Sequence, residues 1–142
     1  DHAPTLVSEL GELLAHGVSL RPASPVGFGR IRDVPVVLLP GNPVSCLCAY
    51  DFFAGRVVRL QGGRCPEWPY RERVAPLAEP LRSAEGRVDY VRVRLAANHA
   101  EPMSASGASI LSSTTRADGF VVVPVHRQGV DAGEAVTVWL YD

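Results

Sequence analysis

The stretch Val36-Val37-Leu38-Leu39-Pro40-Gly41-Asn42-Pro43-Val44-Ser45 constrains this chain more than any other. Four consecutive apolar residues, Val36 to Leu39, have the pattern of a strand covered on both faces. Gly41 permits a backbone conformation that other residues resist. Asn42 is a good helix N-cap, and Pro43 suits the first helical position, where no N–H is needed. The run from Pro43 to about Leu60 predicts a long helix, stopped by Gly62-Gly63. The expectation is a helix N-terminus with unpaired N–H groups at the carboxyl end of a strand. That is where open α/β sheets hold phosphates.

Upstream, His2 to His16 carries Leu6, Val7, Leu10, Leu13 and Leu14 at spacings of three and four. This predicts one amphipathic helix with Pro4 in its first turn and Gly17 as its stop. Gly17 to Arg21 reads as a short strand with Val18 and Leu20 on one face. Pro22 to Arg32 reads as a loop or irregular hairpin. Helix, strand, strand, helix is an α/β pattern, but an incomplete one. The remaining strands are expected before Asp1, and the absence of an initiator Met fits an origin inside a longer polypeptide.

Gly62 to Tyr70 (GGRCPEWPY) reads as a connection between domains, after which the pattern changes. Arg71 to Ala78, Arg87 to Leu95 and Ala135 to Tyr141 alternate with a period of two, and Phe120 to Val125 is a β-branched apolar run. These predict a small, mostly antiparallel β-unit. Gly107 to Ala117 reads as a helical turn or short helix.

With 142 residues, 46% of them apolar, the chain can bury a core as one ordinary domain or two small ones. A net charge of −1 gives no general pull toward nucleic acid or membrane, so any anion site must be local. No apolar run is long enough to span a bilayer. Cys46, Cys48 and Cys65 are odd in number, which argues for a reducing compartment and against a disulfide framework. Cys46 and Cys48 would lie about 200° apart around a helix, so they read as small buried hydrophobes rather than metal ligands. His2, His16, His99 and His126 have no metal-ligand spacing and read as surface or turn residues.

The segments LGELLAHGVSLRPASPVGFGRI, VVLLPGNPVSCLCAYDFF and RLQG resemble the C-terminal part of the molybdenum insertases. These are the molybdopterin molybdotransferases, whose enzyme domain also occurs in gephyrin. The strand containing DYVRV, then SGASILSSTTRADGFVVVP and AGEAVTVWLY, continue the resemblance to the end of the chain. It implies a fold of α/β class: residues 1–62 as the C-terminal half of a three-layer molybdopterin-binding domain, and residues 63–142 as a small, mostly antiparallel β-barrel-like domain. It also implies a cytoplasmic, commonly homodimeric transferase of molybdenum cofactor biosynthesis. Such an enzyme inserts molybdate into adenylylated molybdopterin with Mg²⁺ and releases AMP. This chain would be its C-terminal part, acting as a homodimer or with the missing N-terminal half.

Residue by residue, the resemblance makes Asp1 a catalytic and Mg²⁺-binding acid, since magnesium takes carboxylate and phosphate oxygens; a helix N-cap is the plain alternative. It places Pro40, Gly41, Asn42, Pro43 and Ser45 at the pterin phosphate. Arg21 and Ser24, in RPASP, stand where the family often has two lysines. Arg21 keeps the charge and can hold an oxyanion bidentately, whereas Ser24 does not keep it. Arg92 matches an arginine that the family aims at molybdate, with Arg94 on the same strand face. Ser106, Ser109, Ser112 and Ser113 lie in the family's serine-rich segment. The chemistry implied is positioning and charge compensation, without a protein nucleophile. The competing readings are a non-catalytic molybdopterin-binding module and an interaction scaffold.

Overall fold

The computed structural model of the chain describes residues 2–103 and 115–141. It divides into two compact units, Asp1–Trp68 and Pro69–Asp142.

In the first unit, α1 (Ala3–Leu10) has proline in its first turn, as expected, but ends six residues before His16. The reason is a close approach at Gly11. A Cβ there would stand 2.1 Å from the Arg30 carbonyl oxygen, a contact no side-chain-bearing residue can make. The chain continues instead as β1 (Glu12–His16). The spacing of the five apolar residues therefore crossed an element boundary; Val7 is buried, while Leu6, Leu10 and Leu14 are exposed. After the short extended pair β2 (Leu20–Arg21), the segment expected to be irregular supplies β3 (Gly27–Ile31). β3 is the central strand of an antiparallel sheet of order β1-β3-β4, with β4 spanning Val34–Leu38.

β4 does not meet the expectation of a strand covered on both faces. Among the described residues it has a neighbour on one side only, and each of its residues is exposed or half-buried. Successive residues of β3 show how the helices flank the sheet. A Cβ on Gly29 would meet Val7 Cγ1 of α1 at 2.5 Å, while the Phe28 ring packs edge-on against Phe53 at 4.8 Å on the other face.

Phe53 lies in the second helical run, which is continuous but not regular. α2 (Pro43–Ala49) passes into a wide π-turn (Tyr50–Ala54) and then α3 (Gly55–Gln61), with Gly62 as the C-cap. A π-turn interrupts the i→i+4 ladder. Here the Asp51 carbonyl accepts a 2.6 Å hydrogen bond from the Trp68 indole N–H. The Trp68 ring also packs edge-on against Phe52 at 5.1 Å, and the Arg56 guanidinium lies 5.3 Å above it.

In the second unit, the four period-two or β-branched runs become β5 (Arg71–Pro76), β7 (Val88–Ala96), β9 (Gly119–Val123) and β11 (Ala135–Leu140). Three shorter strands carry too few residues for a sequence pattern: β6 (Leu81–Arg82), β8 (His99–Pro102) and β10 (Gly129–Val130). The main sheet runs β8-β7-β9-β11-β5, all antiparallel, and β6 pairs with β10. A single bridge, Leu77 to Ala100, links the two outer strands, so the sheet curls without closing.

One face of that sheet is aliphatic: Ala75, Leu77, Val93, Val121, Val123, Val136 and Val138 pack together. The other is aromatic. Phe120 stacks on Tyr90 at 4.3 Å, with Tyr70, Trp139 and Tyr141 around it, and the Tyr90 and Tyr141 hydroxyls hydrogen-bond to each other. The fold is thus mixed α/β and mostly sheet, with no closed barrel among the described residues. No described helix is long and apolar enough to cross a membrane.

Candidate functional site

The expected strand-turn-helix is present, with β4 leading through Leu39-Pro40-Gly41 into α2. Its electrostatics differ from the expectation. Asn42, at φ −71° and ψ 126°, accepts through Oδ1 from the Val44 and Ser45 amides at 3.1 and 3.3 Å. The Cys46 amide donates to the Asn42 carbonyl at 2.8 Å, and Pro43 has no N–H. The helix-front amides expected to be unpaired are therefore already taken by the cap. A neutral cap satisfies those donors without cancelling the positive end of the helix dipole. Gly41 is not held at positive φ, and a Cβ placed there meets nothing within 4 Å, so its conformational freedom is not required. Gly41, Asn42 and Pro43 are exposed, while Val44 and Ser45 are buried.

Arg21 and Ser24 lie on a loop closed by its own backbone. The Gly17 amide donates to Val26 O, Val18 to Ser24 O, and Val26 to Ala23 O. Inside the loop, burial alternates with exposure: Leu20, Ala23 and Val26 are buried, and Arg21 and Ser24 are exposed. Ala23 and Cys48 of α2 are both fully buried, and the Ala23 backbone works weakly against the rise of the Cys48 thiol. The RPASP loop and the helix that Asn42 caps belong to the same unit. Burial first, and the charge of Asp51 second, push the Cys48 thiol up to about 12. It remains a protonated thiol at neutral pH. Cys48 thus fits the reading of a small buried hydrophobe, Cys46 is half-buried, and Cys65 is exposed.

Arg92 belongs to the second unit. It is buried on β7 opposite Phe120, while Arg94 on the same face is exposed. Asp1 and the serines at 106, 109, 112 and 113 lie outside the described residues, as does the Gly107 to Thr114 part of the expected helical turn. All four histidines are exposed. Among the described residues no group of three His, Cys, Asp or Glu side chains could hold a metal ion. Magnesium therefore finds no donor set there.

Sequence reasoning missed one concavity. β9 and β11 pair only at Trp139–Phe120 and Leu140–Gly119. Beyond that point they splay around a cleft of 190 Å³, lined by Val121, Val122, Thr137 and Trp139 among others. Arg127 and Glu134 form a bidentate ion pair at 2.7 and 2.9 Å, with Arg127 on the cleft wall. No residue pattern marks a strand pair that opens halfway.

Comparison with known proteins adds to this geometry. The family described as the MoeA C-terminal region (domain IV) matches residues 74–141. A Methanocaldococcus jannaschii protein named for molybdopterin biosynthesis is 36% identical over 94% of this chain and 31% of its own length. The chain is a MoeA-like C-terminal portion. Molybdopterin molybdenumtransferase 1 of Mycobacterium tuberculosis is 35% identical over 94% of the chain and 34% of its own length. The crystal structure of a molybdopterin biosynthesis MoeA protein from Pyrococcus horikosii superposes with a TM-score of 0.83. It is 33% identical and covers 97% of the chain and 34% of the archaeal protein. The MoeA-like chain thus spans about a third of the length of the relatives it matches.

Proposed function

We propose that this chain serves molybdenum cofactor biosynthesis as the C-terminal part of an enzyme that inserts molybdate into adenylylated molybdopterin. The observation that carries the reading is that one unit holds both the exposed Arg21 and the helix front capped by the neutral Asn42. The substrates are anionic, and bringing them together needs fixed positive potential. With the Val44 and Ser45 amides occupied by Asn42, that potential falls to Arg21 and to the helix dipole. Arg21 would hold the molybdate oxyanion; Ser24 and Ser45 would donate hydroxyls to it or to the pterin phosphate. Arg92, in the second unit, belongs to this reading through the family resemblance alone. Asp1 and Mg²⁺ belong to the same reading, without a metal donor set among the described residues.

In this reading the first unit is half of a three-layer domain, and the second is the barrel-like terminal domain. Two observations support completion by further polypeptide or a second copy. β4 has an open edge among the described residues. Among the described residues, eight of the ten exposed large hydrophobics belong to the first unit, including Leu6, Leu10, Leu14 and Val34. Such a density of exposed apolar surface marks an interaction face. A cytoplasmic location follows from the proposed reaction.

Calorimetry on Arg21→Ala tests the division of roles. Molybdate binding should weaken far more than molybdopterin binding; equal loss of both rejects it.

A further inference from the structure

β9 and β11 share a register that continues past the point where they part. The Tyr141 amide donates to Asp118 O at 3.1 Å, and Trp139 lies opposite Phe120, so hydrogen-bonded rungs fall on every second residue. The next rung of that register is Thr137 with Val122. Both residues line the 190 Å³ cleft instead. Each still belongs to a strand through its outer neighbour: Val122 lies opposite Tyr90 of β7, and Thr137 opposite Val74 of β5. The Glu134 carbonyl accepts the Leu77 amide at 2.9 Å, so even-numbered residues of β11 bond toward β5 and Thr137 turns its main chain toward β9. The two strands are extended, in register and facing each other, yet apart.

The connection from β9 to β11 is drawn away from the seam. The Gly86 and Ser83 amides donate to Val125 O and Gln128 O at 2.9 Å, and β10 pairs with β6. Val130 of β10 lines the cleft and packs into the aliphatic core. Arg127 and Glu134 close this connection across its ends at 2.7 and 2.9 Å, and Glu134 Oε2 also accepts from the Asp131 amide at 3.4 Å. The hydrogen bonds from Arg127 hold the Glu134 carboxyl below its ordinary range, so the pair stays charged at neutral pH.

We propose that this connection is a wedge, with Val130 as its blade and the Arg127–Glu134 pair as its clasp, that holds a two-state cleft in its open form. With the clasp made, the loop keeps Val130 in place and the strands stay apart. With the clasp broken, the loop relaxes, Val122 and Thr137 form their rung, and the cleft closes. A bidentate pair suits the task because it fixes direction as well as distance. The inference is independent of the molybdate reading, which places nothing in this cleft.

The test uses the full chain in three forms: wild type, Arg127→Gln, and the charge swap Arg127→Glu with Glu134→Arg. Amide hydrogen exchange is read at Val122 and Thr137, with Val138, whose main chain faces β5, as the internal reference. In Arg127→Gln, exchange at Val122 and Thr137 should slow about tenfold, the effect of one added backbone rung. The swapped pair should return both to the wild-type rate, and Val138 should exchange alike in all three. The pair is partly exposed, so raising salt from about 0.05 to about 1 M should slow the same two amides in wild type and leave Arg127→Gln unchanged. Unchanged or faster exchange at Val122 and Thr137 in Arg127→Gln, with Val138 steady, overturns the wedge, because a merely structural pair would loosen the seam. Slowing that the swap fails to reverse overturns the clasp. If Val138 also speeds up in the variant, the salt series on wild type decides, and no slowing there overturns the proposal.

Discussion

Replacing Asn42 separates the two jobs that a helix front can do. In Asn42→Ala the Val44 and Ser45 amides lose their acceptor at 3.1 and 3.3 Å, and both residues are buried. Loss of an Asn N-cap costs about 1 kcal/mol, and the two buried donors argue for the upper part of the 0.5–2 kcal/mol range. For a chain of this size that lowers the melting temperature by roughly 3–8 °C. Asn42→Asp keeps the acceptor and adds a negative charge at the positive end of the dipole, which stabilises by about 0.3–1 kcal/mol. The same charge repels an anion seated beside the turn. At about 5 Å and an effective dielectric near 20, 332/(20 × 5) gives about 3 kcal/mol for each unit of anion charge, before salt screening. Asn42→Asp should therefore melt at or above the wild-type temperature while losing at least about tenfold in phosphate or molybdate affinity at low salt. Differential scanning calorimetry and titration calorimetry on the same samples read the two effects. Undiminished anion affinity in Asn42→Asp would refute an anion seat at this turn.

Other outcomes follow from single contacts. Trp68→Phe keeps the ring but removes the indole donor to Asp51 O, and should cost about 1–2 kcal/mol in urea unfolding. Gly29→Ala, whose Cβ would stand 2.5 Å from Val7 Cγ1 and 2.7 Å from Glu12 O, should lose at least about 2 kcal/mol, whereas Gly41→Ala should stay within about 0.5 kcal/mol. The Cys48 thiol, pushed from an ordinary 9.0 up to about 12, favours the folded state while it is protonated. That contribution is whole below about pH 9 and is lost as pH rises toward 12. Alkaline unfolding monitored by circular dichroism should be steeper in wild type than in Cys48→Ala, with up to about 4 kcal/mol at stake over the three units.

Much of the second unit was legible because its main strands carry their pattern in five to nine consecutive residues, as in Val88–Ala96 and Ala135–Leu140. The pairs Leu81–Arg82 and Gly129–Val130 are too short to carry one. In the first unit the strand-turn-helix at residues 34–61 was legible from Asn42, Pro43 and Gly62, each of which acts locally. The end of α1 was not, because Gly11 matters only through its distance to Arg30, nineteen residues away in sequence. The occupied amides show the same limit within the site. Asn42 marks a helix start in any sequence, but whether its side chain or a ligand fills those donors is decided by its rotamer.

The Trp68 indole has a practical meaning for dividing the chain. Cutting at the glycines after α3 would look natural, yet it would discard the indole donor to the Asp51 carbonyl, together with the platform beneath Arg56. A fragment meant to be soluble and folded by itself should end no earlier than that tryptophan. One stopped at Gly62 would uncover Phe52 and remove the indole donor from the middle of its longest helical run.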